Sequence, residues 1–139
     1  MATNLNLFRW NISASPLCNH CNQVEDYNHF LINCPYLSHF WSKINDAFKH
    51  CNIHKHMNNL EILIIGYKIE YKEYNIINTI LCQIGYCIYK SYFLSERRQN
   101  HINLSSLLYA ELLIIQTLYK TKRIHSPLLN KFIMKFKII

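Results

Sequence analysis

The residues best placed to do chemistry are Cys18, Cys21, His29 and Cys34, in the segment CNHCNQVEDYNHFLINC. Two cysteines separated by two residues can both turn their sulfurs inward on a tight knuckle, and thiolates with an imidazole are the ligand set that tetrahedral Zn2+ prefers. Three Cys and one His fill the tetrahedron and leave no open position for a water or a substrate. The expected role is therefore a structural zinc ion, not a catalytic one. His20 lies between two of these residues and is expected to be exposed, because Cys18 and Cys21 make better use of the knuckle.

The elements around the four residues must deliver them to one point. His29 and Cys34 are five apart, about 140° around an ideal helix, so a continuous α-helix does not present both to one ion. The backbone is expected to leave the helix near Asn33, helped by Pro35, which pushes Cys34 away from the α region and can itself open the next helix. In that helix Leu37, Phe40, Trp41, Ile44 and Phe48 recur on one face, a stripe expected to pack on the knuckle and on later helices. A Trp on such a stripe reads as core, not as a base-stacking surface.

The rest of the chain also reads as helical. Two Gly and three Pro in 139 residues leave few of the turn signals that sandwiches and hairpins need. The segment Cys51–Asn59 is polar and reads as a loop, and LEILIIGY fits either a strand or a helical turn. Ile77, Ile80, Leu81, Ile84, Ile88 and Tyr92 give one helical face. A second face runs from Leu104 to Tyr119, with Asn103 as its N-cap, and Ser126-Pro127 opens a last amphipathic segment. The expected fold is mainly α: a small Cys3His zinc knuckle and its amphipathic helix over residues 1–50, then a helical bundle with a basic C-terminal part over residues 51–139.

Charge is one-sided. Up to residue 89 the Lys and Arg residues balance the acids, so the net charge of +7 resides entirely in residues 90–139, and no acid follows Glu111. Such asymmetry points to a polyanion, RNA or single-stranded DNA, contacted through Arg97, Arg98, Lys120, Lys122, Arg123, Lys131, Lys135 and Lys137. The plain alternative is a solvated basic tail. The first thirteen residues lack the apolar run of a signal peptide, and no apolar stretch reaches membrane-spanning length. A soluble chain in the nucleus or cytoplasm is expected, with reduced cysteines that favour metal over disulfides.

The segment CNHCNQVEDYNHFLINCPYLSHFWSKI resembles the zinc-binding region that follows the reverse transcriptase domain in LINE-type (non-LTR) retrotransposon proteins. The likeness includes the aromatic-basic run Phe8, Arg9, Trp10, the acidic pair Glu25, Asp26, and Cys34-Pro35 followed by Phe40-Trp41. It covers residues 8–44 and continues weakly through INTILCQIGYCIYKSYFLSERR. It implies a zinc knuckle and helices that assist binding of template RNA or target DNA, in contact with other domains of a polyprotein. Asp26 and Asp46 are the only aspartates, so a polymerase site cannot be present. The chain then reads as a fragment of such a protein or a short independent descendant.

Other sites come off worse. Cys51, His54 and His56 supply three ligands with no fourth, and Cys82 and Cys87 fall in a helical pattern where free Cys behaves as a small hydrophobe. Gly66 and Gly85 are isolated, which excludes a phosphate-cradling loop. No nucleophile, base and orienting group can be assembled, so no enzymatic activity and no small-molecule substrate are expected. A protein-interaction module and a decayed fragment without activity remain as alternatives to nucleic-acid binding.

Overall fold

The computed structural model describes residues 3–18, 20–67, 74–98 and 103–138, excepting the side chains of residues 74, 93–98 and 138. Their architecture is mainly α, with one isolated antiparallel bridge, Leu17 to Val24, and no strand among them. The helices are α1 (Asn4–Arg9), α2 (Ser38–His50), α3 (Leu60–Ile65), α4 (Tyr74–Arg98), α5 (Leu104–Thr121) and α6 (Pro127–Ile138). The chain forms two compact units, Met1–Ser42 and Lys43–Ile139.

In the first unit α1 is short, and its ends are held by side chains and by the knuckle. Thr3 caps it by accepting the Asn6 N–H at 3.3 Å. The Asn4 and Leu5 N–H groups donate to the side chain and carbonyl of Glu25, at 2.9 and 3.1 Å, and the Asn4 amide donates to the Leu17 carbonyl at 2.7 Å. Glu25 is 1% exposed. A carboxylate over the first N–H groups of a helix meets its positive end, which gives this buried acid a structural partner. Within this unit the indole N–H of Trp41 donates to the Leu31 carbonyl at 2.9 Å, so Trp41 is core, as its stripe implied.

The second unit is a helical bundle. α3 packs against α4, α4 against α5, and α5 against α6. Its core includes Ile44, Phe48, Met57, Ile77, Ile84 and Leu112, with Phe48 and Phe132 rings 4.7 Å apart and Phe136 stacked on Phe132 at 5.9 Å. The 51–59 segment is a loop, but one pinned from beneath: buried Asn45 accepts the Met57 N–H at 2.9 Å and donates to Asn58 at 3.2 Å. LEILIIGY resolves as α3, capped by Asn59, which accepts the N–H groups of Glu61 and Ile62. Gly66 ends it at φ 99°, where a Cβ would lie 3.2 Å from the Asn78 oxygen that accepts the Tyr67 N–H. Asn103 caps α5 as expected, and Ser126 accepts the Leu129 N–H at the start of α6.

The scarcity of glycine is met by other residues in left-handed conformation. Asn11, Asn52 and Arg123 sit at φ 58°, 64° and 55° immediately past α1, α2 and α5. After each, the next N–H reaches back five residues, as from Ile53 to the Phe48 carbonyl at 2.9 Å and from Ile124 to Tyr119 at 2.8 Å. This is the Schellman closure, in which glycine is the common occupant and asparagine the next. Cys82 departs from the core role expected of it and is exposed. The buried face of α4 runs through Ile77, Ile80, Leu81, Ile84, Cys87 and Ile88, and one residue past Leu81 the helix has turned about 100° away from that face.

Candidate metal centre

The four ligand candidates are placed in two pairs, each by its own local device. Pairing of Leu17 with Val24 brings the Cys18 N–H to the Gln23 carbonyl at 2.6 Å and the Glu25 N–H to the Pro16 carbonyl at 2.9 Å. Between those bonds the chain must reverse within a few residues. Asn22 allows it by taking φ 60°, and its N–H closes on the Cys18 carbonyl at 3.0 Å. Cys18 and Cys21 thereby come onto the inner side of one turn.

His29 and Cys34 arrive by a different route. Residues His29–Asn33 form a π-turn, in which the Cys34 N–H donates to the His29 carbonyl at 3.0 Å. A bond reaching back five residues widens the turn, so that residues five apart stack where residues four apart would in an α-helix. The geometric conflict read from the spacing is resolved inside the helical turn as well as at its end. Cys34 itself is extended, φ −61° and ψ 127°, and Pro35 opens a short 3-10 turn that leads into α2. Asp26 fixes the other end by accepting the His29 N–H at 2.7 Å.

The ligand atoms of Cys18, Cys21, His29 and Cys34 all lie within 4.8 Å of one another. The Cys18 and Cys34 sulfurs are 4.0 Å apart, and the Cys21 sulfur is 3.1 Å from His29 Nε2. Metal–sulfur bonds of about 2.3 Å and metal–nitrogen bonds of about 2.0 Å in a tetrahedron place ligand atoms about 3.5 to 3.8 Å apart. The observed separations bracket that value. Among the described residues these four are the one group of three or more Cys, His, Asp or Glu side chains gathered at metal-binding distance. Cys18, His29 and Cys34 are buried, whereas Cys21 is half-buried.

Electrostatics favour a cation here. Burial pushes the Cys34 thiol up to about 12, the neighbouring Cys18 and Cys21 add to the shift, and the Tyr36 N–H opposes it. Burial also raises Cys18, against N–H groups from His20 and Cys21 that favour its thiolate. The buried sulfurs of Cys18 and Cys34 keep their protons unless a positive charge replaces them, and a divalent ion would supply that charge. The backbone N–H groups then spread what negative charge is left, one of them the His20 N–H, 3.4 Å from the Cys18 sulfur. His20 is exposed as expected, its ring stacked on Tyr36 at 4.7 Å.

The basic residues are distributed differently. Lys120, Lys122 and Arg123 are exposed at the end of α5, and Lys131 and Lys137 are exposed on α6, where Lys135 is half-buried. Lys131 and Lys135 share one flank of the α6 core face and Lys137 lies on the other, so α6 carries two basic edges instead of one stripe. Arg97 and Arg98 belong to α4, and their side chains lie outside the described residues. Cys51 is buried with its sulfur 3.7 Å from the Leu128 carbonyl, while His54 and His56 are exposed, so the three residues do not form a ligand group.

Sequence reasoning missed the positioning residues Asn4, Asn22, Glu25 and Asp26 as structural parts. Asp26, three residues before His29, was the available signal for the His-bearing turn, since a side-chain oxygen there can cap a helix N-terminus, whereas nothing in the sequence marks Glu25 as the partner of α1. Comparison with protein-family models, curated proteins and solved structures gives no match. No helix among the described residues is long and apolar enough to cross a membrane.

Proposed function

We propose that Cys18, Cys21, His29 and Cys34 hold one structural Zn2+ and that the chain is a nucleic-acid-binding module without enzymatic activity, akin to the zinc-binding region of LINE-type retrotransposon proteins. Four protein ligands complete the tetrahedron, so the ion organises the first unit and offers no position for a reacting group. The observation that carries the nucleic-acid reading is the set of basic side chains beyond Glu111, of which Lys120, Lys122, Arg123, Lys131 and Lys137 are exposed, with no acid among them. Such groups contact phosphates and read no bases, so the partner is RNA or single-stranded DNA bound without strong sequence preference. The module acts inside the cell, beside other domains of a polyprotein.

The test is a salt titration of RNA and single-stranded DNA binding by the zinc-loaded chain. Each phosphate contact contributes roughly −0.7 to the log-log slope. Lys122→Glu with Arg123→Glu is expected to weaken all sequences alike, and Cys34→Ser to remove the first unit's fold. A second reading, a protein-docking module, is favoured by the exposed apolar side chains Phe8, Trp10 and Ile12 of the first unit and Leu113, Ile114 and Leu118 of α5. No binding to any nucleic acid at low salt and micromolar protein would transfer the assignment to it.

A further inference from the structure

The three cysteines of the cluster differ in accessibility. Cys18 and Cys34 are 3% and 5% exposed, whereas Cys21 is half-buried. All three sulfurs fall within 4.8 Å of one another, and Cys18 and Cys34 are 4.0 Å apart. A disulfide needs a sulfur–sulfur bond of about 2.05 Å. From these separations two sulfurs must close by about 2 to 3 Å to form that bond. Cys51 and Cys87, by contrast, are buried in the second unit, and Cys82 is exposed on α4.

We propose that the metal cluster is also the chain's oxidant-sensitive site: a peroxide oxidises Cys21 first, and a disulfide from Cys21 to Cys18 or Cys34 expels the metal. This rests on the zinc reading above. The Cys21 thiolate attacks one peroxide oxygen and breaks the O–O bond, giving a sulfenic acid and, after protonation, one water. The thiolate of Cys18 or Cys34 then attacks the Cys21 sulfur, forming the S–S bond and displacing hydroxide, which takes up a proton as the second water. The two sulfurs lose two electrons and the peroxide gains them. Two of four ligands are gone, and the remaining Cys and His29 do not retain the ion.

The experiment uses the full chain carrying Cys82→Ser, so that the exposed α4 thiol does not contribute. Metal analysis comes first. A chain purified with no zinc, and taking up none from zinc-supplemented buffer, overturns the zinc reading itself. On the zinc-loaded chain, hydrogen peroxide is expected to release one Zn2+ per chain, read with a chromogenic chelator, in step with loss of two titratable thiols and a mass decrease of two hydrogens. Dimedone added during the reaction is expected to label Cys21 ahead of Cys18 and Cys34, and peptide mapping to find Cys21 in the disulfide. Dithiothreitol with zinc is expected to restore the loaded form. Zinc retained at a peroxide dose that oxidises free cysteine overturns the proposal while leaving the zinc site standing. A map showing Cys18 linked to Cys34 with Cys21 reduced, or release accompanied only by sulfinic acid, also overturns it.

Discussion

Removing the metal should separate the two units experimentally, because both tryptophans, Trp10 and Trp41, lie in the first unit, and helices α3 to α6 lie in the second. The first unit is near the size below which a chain needs a metal or disulfides to fold. Its buried apolar side chains are few, chiefly Phe30, Ile32, Leu37, Phe40 and Trp41. Structural zinc contributes about 10–16 kcal/mol in zinc-finger peptides, so at this size metal binding and folding are coupled. Exhaustive chelation is therefore expected to expose Trp41, 2% exposed in the fold, and to shift its emission to the red. Far-UV circular dichroism should lose no more than about a fifth of its helical signal, since only α1 and the opening of α2 precede Lys43. Unchanged tryptophan emission would mean that the first unit stands without metal. Collapse of the whole helical signal would mean that the second unit does not hold on its own core.

Further expectations concern the second unit. Phe132→Ala opens a hole between Phe48 and Phe136 and should cost about 3–5 kcal/mol in urea unfolding followed by circular dichroism. Arg123→Gly relieves a left-handed residue at the end of α5 and should gain about 0.5–1 kcal/mol after the larger entropy of glycine in the unfolded chain is counted, whereas Asn52→Ala should cost about 1 kcal/mol. Cys87 is pushed up to about 12 by burial, with Glu111 adding to the shift and Lys90 opposing it. A folded value above the unfolded one makes this thiol stabilising at low pH. Above the ordinary thiol value, ionisation of the unfolded chain should erode stability by about 1.4 kcal/mol per pH unit until about 12, and Cys87→Ala should remove that slope from the difference between the two unfolding curves.

Legibility of the fold followed the strength of its periodic signals. The faces of α4, α5 and α6 could be read because apolar residues recur at helical spacing over three turns or more, and Asn103 and Ser126-Pro127 mark their starts. Six residues with apolar side chains nearly throughout, as in α3, carry no period, so the choice between strand and helix was left open by the sequence. The gathering of Cys18, Cys21, His29 and Cys34 was legible because metal chemistry tolerates few spacings. The π-turn was not, because no residue between His29 and Cys34 forces an i−5 bond in place of an i−4 bond. Nor was the use of Asn11, Asn22 and Asn52 as left-handed residues, since asparagine also caps helix starts in this chain at Asn59 and Asn103. One residue type serves both ends of a helix, and composition does not say which.

The π-turn also bears on what a change of chain length would do. Deleting exposed Asn33 would leave the histidine and the cysteine four residues apart, and an ordinary α-turn presents such a pair on one face, so an ion could still be bound. Everything beyond the deletion would be rotated by about 100° relative to the knuckle. Leu37 and Phe40 would swing out of the first unit's core, and the Trp41 indole would lose the Leu31 carbonyl it now reaches at 2.9 Å. The spacing of His29 and Cys34 is then governed less by a coordination sphere than by the phase of α2, and a deletion that a metal would accommodate is one that the helix rejects.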